Sequence, residues 1–270
     1  MAERDRSKRA FQGAAGSRRP RHRPPHIDTR SPARDGPAIL YGWHTVSLAL
    51  KNPARCVRRL WATENALRRL TEDGVELAVA PEIVRPDAIA ARLPPDAVHQ
   101  GLLAEADPLP APDVEDLTEG IVLVLDQITD PHNVGAIVRT AAAFGVAAIV
   151  STSRHSPEAT GVLAKSASGG LEAVPLVTVT NLARGLTTLR EQGFLLVGLD
   201  SEAGSALADA PLRRPLALVL GAEGRGLRHL TRETCDVLAR LDLPGTIKSL
   251  NVSNAATLAL YIATKTTEEK

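Results

Sequence analysis

Bulky apolar residues are nearly missing until Ala38, and from there they come in short runs. AILYGWHTVSLAL (38–50) predicts a strand running into a helix, and CVRRLWATENALRRL (56–70) a strand followed by an amphipathic helix. VELAVA (75–80) predicts another strand. The Pro-rich acidic stretch DPLPAPDVEDLTEG (107–120) has the composition of a linker. From Ile121 onward six β-type runs follow: IVLVLD, AAIVST, AVPLVTV, GFLLVGLD, PLALVLG and DVLARLDL. Helical patterns lie between most of them, which predicts an α/β fold with a parallel, helix-covered sheet. A long helix from about Asn251 to Thr266 closes the chain. The layout is therefore a tail over 1–36, a small α/β module over 37–106, a linker over 107–120 and a second α/β domain over 121–270.

Composition narrows the class. The chain has 270 residues, of which 44% are hydrophobic, enough for real cores. It contains no apolar run of eighteen residues and no charged start leading into an apolar segment, so it is expected to be cytoplasmic, with no membrane partner. Glu3 and Asp5 argue against an organellar targeting peptide. Cys56 and Cys235 are unclustered and suggest neither a disulfide framework nor a metal site. Net charge is only +1, but 26 of the 32 basic residues are Arg. Arg grips phosphate bidentately and stacks on bases; genomic base composition explains the bias equally well. The first 36 residues hold ten basic and four acidic side chains and too little apolar surface to fold. Such an arm adds salt-dependent affinity for a phosphate backbone, or is a solvated extension. Aromatics at 3% argue against a stacking platform for single strands.

Three segments carry candidate chemistry. In TDPHNVGAIVRTAAAFG (129–145), Val134, Ile137, Val138 and Ala141 form a core-facing stripe at helical spacing. His132, Gly135, Ala136, Arg139 and Ala143 form a second stripe, almost bare of bulk, with one guanidinium in its middle. Asp130 can cap this helix and Pro131 suits its first position. The helix follows IVLVLD directly, so Asn133 lies near the carboxyl edge of the sheet, where open α/β sheets bind ligands. Taken singly, Asn133 fits a local bond to backbone and Arg139 a surface ion pair.

LVLGAEGRGL (218–227) sets Gly221, Gly224 and Gly226 after a buried strand, with Glu223 among them as a hydrogen-bonding or proton-accepting group. The spacing fits neither the dinucleotide fingerprint nor the P-loop. LDLPGTIKSLNVSNAATLALY (241–261) crowds Ser249, Asn251, Ser253 and Asn254 before an apolar helix. That is more than capping needs, and it suggests a polar ligand.

N-x-G-x-x-x-R-T-A (133–141), G-A-E-G-x-G-L (221–227) and S-L-N-V-S-x-A (249–255), in this order behind a smaller module, resemble the three motifs of the SpoU/TrmH branch of SPOUT RNA methyltransferases. The resemblance covers the chain from Ala38 onward. YGWHTV (41–46) and HQG (99–101) are similar to the subgroup that methylates a guanosine of large-subunit ribosomal RNA. It implies transfer of methyl from S-adenosylmethionine to a ribose 2′-hydroxyl, without a metal. It also implies a SPOUT-type parallel sheet with a C-terminal trefoil knot, an N-terminal substrate-binding domain resembling a ribosomal protein, and a homodimer. Catalytic importance maps to Asn133, Arg139, Glu223 and Asn251, with Ser249 beside them. Cofactor contacts, largely through backbone, map to Gly221, Leu241 and Leu250, with Leu199 and Leu243 nearby. Family members often have Ile-Pro-Met where this chain has Leu241, Asp242 and Leu243.

A guanidinium stays protonated, so Arg139 fits a fixed cation facing the developing alkoxide, with the small residues around it leaving room for the ribose. Glu223, an RNA phosphate or water would take the proton. Transfer RNA is the alternative substrate, and a non-catalytic RNA-binding or ribosome-assembly protein on the same fold is the alternative class.

Overall fold

A computed structural model of the chain describes residues 37–153 and 161–268. The basic segment expected over 1–36 lies outside the described residues. The amino-terminal module contains β1 (Ala38–Tyr41), α1 (Trp43–Lys51), β2 (Val57–Ala62), α2 (Glu64–Glu72), β3 (Glu82–Ile83), α3 (Pro86–Ala90) and β4 (Leu102–Ala106). Its strands lie in the order β1-β4-β2-β3, with β4 antiparallel to both neighbours and β3 parallel to β2. One sheet face buries Leu40, Leu60, Ala62, Leu102 and Ala104 in a core with residues of α1 and α2. The other places Trp61 and Leu103 with Ile89 of α3.

One expectation fails in this module, and one strand goes unpredicted. Residues 75–80 form no strand: Val75, Leu77 and Val79 pack on the core, while β2 pairs instead with Glu82 and Ile83. β4, which the periodicity did not predict, is one of the two inner strands. Leu102, Leu103, Ala104 and Ala106 are all buried, because both faces of the strand are covered, so no alternation marks it.

The second unit contains β5 (Ile121–Asp126), α4 (Pro131–Ala143), β6 (Ala148–Thr152), α5 (Gly161–Ala167), β7 (Leu176–Val179), α6 (Leu182–Glu191), β8 (Leu195–Leu199), β9 (Leu216–Gly221), α7 (His229–Thr234), β10 (Val237–Ala239) and α8 (Val252–Glu268). The order is β10-β8-β9-β5-β6-β7 and every pairing is parallel, as the apolar runs predict. DVLARLDL contributes only three residues, since β10 is an edge strand and the chain leaves the ladder at Arg240. α4 and α8 share one core with one side of the sheet, and α6 lies in the core on the other. Within the Pro-rich stretch, Val114 and Leu117 are buried in that second core.

The module and the second unit meet through α5 and the turn after it. Thr45 Oγ1 donates to the Ala164 carbonyl. Arg55 and Glu172 form an ion pair at 2.6 Å with side chains only 4% and 8% exposed, and Asn52 donates to the same carboxylate at 2.7 Å. Nearby, the Gly101 N–H donates to His99 Nδ1, while Gln100 Oε1 accepts from the Trp43 N–H and from Lys165 Nζ. Burial, and then the Lys165 charge, hold His99 below the usual imidazole range, which keeps Nδ1 free to accept. No helix among the described residues is long and apolar enough to cross a membrane.

Candidate active site

In the register of the parallel sheet, Ala239 pairs with Leu199, Gly198 with Val219 and Gly221 with Asp126. The carboxyl ends of β10, β8, β9 and β5 therefore stand side by side, and each motif segment leaves from one of them. α4 follows β5. Asp130 caps it by accepting the His132 N–H at 3.0 Å, and Pro131 opens its first turn. Asn133 lies on that turn. At the start of α8, Asn251 Oδ1 accepts from the Ser253 N–H at 3.0 Å and from Ser253 Oγ at 2.6 Å. Asn251 Nδ2 donates to Asn133 Oδ1 at 3.0 Å. One amide thus caps α8 and ties it to the first turn of α4. Asn251 and Ser253 are spent on this link, whereas Ser249 and Asn254 remain exposed.

At Gly221, an added Cβ would lie 2.1 Å from the Gly226 carbonyl carbon, so the loop folds back on its own strand there. Gly224 and Gly226 take positive φ of 75° and 64°, which a side chain would strain. Glu223 stands exposed on this loop. Its exit is held by a residue that sequence reasoning missed. Asp126, fully buried at the end of β5, accepts the Arg228 N–H at 3.0 Å and Arg228 Nε at 2.6 Å. The available signal was a carboxylate ending an otherwise apolar six-residue run. Behind the loop, burial and then the Asp236 charge push the Cys235 thiol up to about 12, so it stays protonated and serves packing rather than chemistry.

The loops after β8 and β10 enclose a cleft of about 510 Å³ lined by Ser201, Glu202, Arg240, Leu241, Asp242, Leu243, Lys248 and Ser249. Among the described residues, the Leu241 N–H and C=O and the Leu243 N–H have no hydrogen-bond partner. Free backbone groups beside two leucine side chains fit an adenosyl cofactor held mainly by main chain. Asp242 pairs with Arg240 Nε at 2.9 Å, and Lys248 Nζ donates to the Leu243 carbonyl at 2.6 Å, which fixes the cleft wall. Leu199, Gly221 and Leu250 do not line this cleft. Leu199 ends the neighbouring strand β8, and Leu250 is partly exposed beside Asn251.

Arg139 and Glu223 are also outside the cleft. Arg139 is exposed and makes no hydrogen bond or ion pair with any described residue. The bare stripe around it is only partly open. A Cβ on Gly135 would lie 2.4 Å from Ser166 Cβ and 2.8 Å from the Leu163 carbonyl, so α5 occupies that space. The turn at Gly170 packs on the Val138 carbonyl and Arg139 Cα. Of the stripe, His132, Ala136, Arg139 and Ala143 keep some exposure, and only Gly135 is buried.

A parallel sheet whose strand ends gather these three segments is the architecture of a SPOUT methyltransferase. Two family models match the chain: the SpoU rRNA Methylase family over residues 120–261, and RNA 2'-O ribose methyltransferase substrate binding over residues 39–112. The chain belongs to the SpoU rRNA methylase family. It is 39% identical over 236 residues to the 23S rRNA (guanosine-2'-O-)-methyltransferase RlmB of Ralstonia nicotianae, a match covering 84% of this chain and 95% of that one. The protein of the same name from Pseudomonas putida is also 39% identical, over 86% of this chain and 97% of the relative. Among solved structures, the SpoU methyltransferase AviRb of Streptomyces viridochromogenes in complex with AdoMet matches with a TM-score of 0.72 and 26% identity, covering 86% of this chain and 91% of that one.

Proposed function

We propose that this protein transfers the methyl group of S-adenosylmethionine to the 2′-hydroxyl of a guanosine in 23S ribosomal RNA, acting as a homodimer in the cytoplasm. The observation that carries this reading is the gathering of the three motif segments at the adjacent ends of β10, β8, β9 and β5, next to a cleft with unpaired backbone groups.

The cofactor supplies an activated methyl on a sulfonium. Leu241 and Leu243 hold the adenosyl part in this reading, and Leu199, Gly221 and Leu250, which lie outside the cleft at neighbouring strand and helix ends, border the parts of the cofactor that extend beyond it. The Asn133–Asn251 bond fixes the start of α4, and with it the helix that carries Arg139. Arg139, unpaired within the described chain, is available to face an oxygen that becomes negative as its proton leaves. Ser249 lines the cleft and orients the sugar, and Glu223 on its glycine-rich loop, an RNA phosphate or water receives the proton. The module over 37–106 holds the RNA, and the linked segment over 107–120 leads into the methyltransferase domain over 121–270. The threaded C-terminal knot belongs to the same reading.

Mapping 2′-O-methylated positions in ribosomal and transfer RNA from cells with and without the gene tests it. The expected result is one guanosine mark missing from 23S RNA. A mark missing only from transfer RNA would overturn the substrate, and unchanged maps would overturn the activity.

A further inference from the structure

The face of the four-stranded sheet turned away from α1 and α2 holds a second pocket of about 280 Å³, lined by Ile39, Arg59, Trp61, Arg92, Leu103 and Glu105. Five of these six share one face because they alternate along their strands: Ile39 on β1, Arg59 and Trp61 on β2, Leu103 and Glu105 on β4. Arg92 reaches in from the segment after α3.

The pocket is organised around the Trp61 ring. The Arg59 guanidinium lies 4.3 Å from its centroid and that of Arg92 lies 5.3 Å away. Glu82 fixes the arrangement: its Oε2 accepts from Trp61 Nε1 at 2.9 Å and its Oε1 accepts from Arg59 Nη2 at 2.9 Å. Those bonds hold the Glu82 carboxyl below the usual carboxylate range, the Arg59 hydrogen bond being the largest cause. Glu105, opposite Arg59 in the register, is half-buried and has no hydrogen bond or ion pair with any described residue. A carboxylate and two guanidinium groups therefore line the same pocket, the guanidiniums held against the Trp61 ring.

We infer that this pocket binds an unpaired guanine of the RNA substrate, away from the ribose that is methylated. The inference rests on the reading of the chain as an RNA methyltransferase. Guanine presents two adjacent donors, N1–H and the N2 amine, which match the two oxygens of Glu105. It also presents O6 and N7 as adjacent acceptors, which match a guanidinium. Adenine, cytosine and uracil each set an acceptor where guanine has one of those donors, and that acceptor would face the carboxylate. A free phosphate would meet the Glu105 carboxylate in the same pocket and has no donor to offer it. The guanidinium planes supply flat surfaces for a base to stack on.

The test titrates the full chain with guanosine, adenosine, cytidine and uridine 5′-monophosphates. The guanosine nucleotide is expected to bind about tenfold more tightly than the others, the discrimination of one bidentate pair. Glu105→Gln should abolish that preference and raise KM for ribosomal RNA about tenfold, while S-adenosylmethionine still binds. Arg92→Met, which leaves the strands untouched, should also weaken the guanosine complex and serves if Glu105→Gln does not fold. Equal binding of all four nucleotides, or a preference that survives both substitutions, overturns the pocket. Methyl transfer without nucleotide preference removes only this inference, and nucleotide preference without methyl transfer removes only the functional reading.

Discussion

Arg139 stands exposed on α4 with no acceptor among the described residues, so its guanidinium is accessible from outside the chain. If it faces the reacting oxygen, its forked geometry counts as much as its charge. Arg139→Lys should lower methyl transfer to ribosomal RNA by about 10² or more, the cost of losing one preorganised donor. Binding of S-adenosylmethionine, measured by calorimetry, should be retained. Near-normal turnover in that variant would dismiss the role. The sequence singled out this arginine because nothing bulky surrounds it. It gave no comparable weight to Asp126, since an acidic residue ending a strand reads as the start of a turn. Only the fold shows its carboxylate fully buried and gripping Arg228.

At the scale of elements, the bareness of α4 has two causes that a helical wheel cannot separate. Gly135 is small because α5 presses on it, whereas Ala136 and Ala143 leave the helix partly open. Gly135→Ala gains about 1 kcal/mol in helix propensity. Its new Cβ would nevertheless meet the Leu163 carbonyl and Ser166 Cβ, both anchored on a packed helix. Overpacking of that kind costs about 1–3 kcal/mol, so thermal unfolding should show a net loss of stability. A higher melting temperature would mean that α5 yields freely. Strand prediction succeeded for the parallel sheet, where each run is long and bounded by turns. It failed at residues 75–80 and at β4, because alternation reports one covered face and says nothing about which neighbour supplies the hydrogen bonds.

For the whole molecule, the substrate-binding module is docked by a pair that taking away one partner would leave uncompensated. Glu172→Gln leaves the Arg55 charge, at a site only 4% exposed, with the Asp107 carbonyl but no opposing charge, so it should cost about 3 kcal/mol. Urea unfolding should shift to lower midpoint, and limited proteolysis should cut sooner between the module and the second unit. Unchanged behaviour in both would show that the junction does not depend on this pair. The sequence by itself determined the alternating α/β architecture, the order of the motifs and the residue types able to do the chemistry, because periodicity and side-chain inventory are local properties of the chain. Tertiary structure alone decided which strand ends became neighbours, that Asn251 would reach Asn133 across 118 positions, and that Glu105 would line a pocket with no partner among the described residues. Those are contacts between distant segments, and they are set by how the sheets and helices pack rather than by any residue's immediate neighbours in sequence.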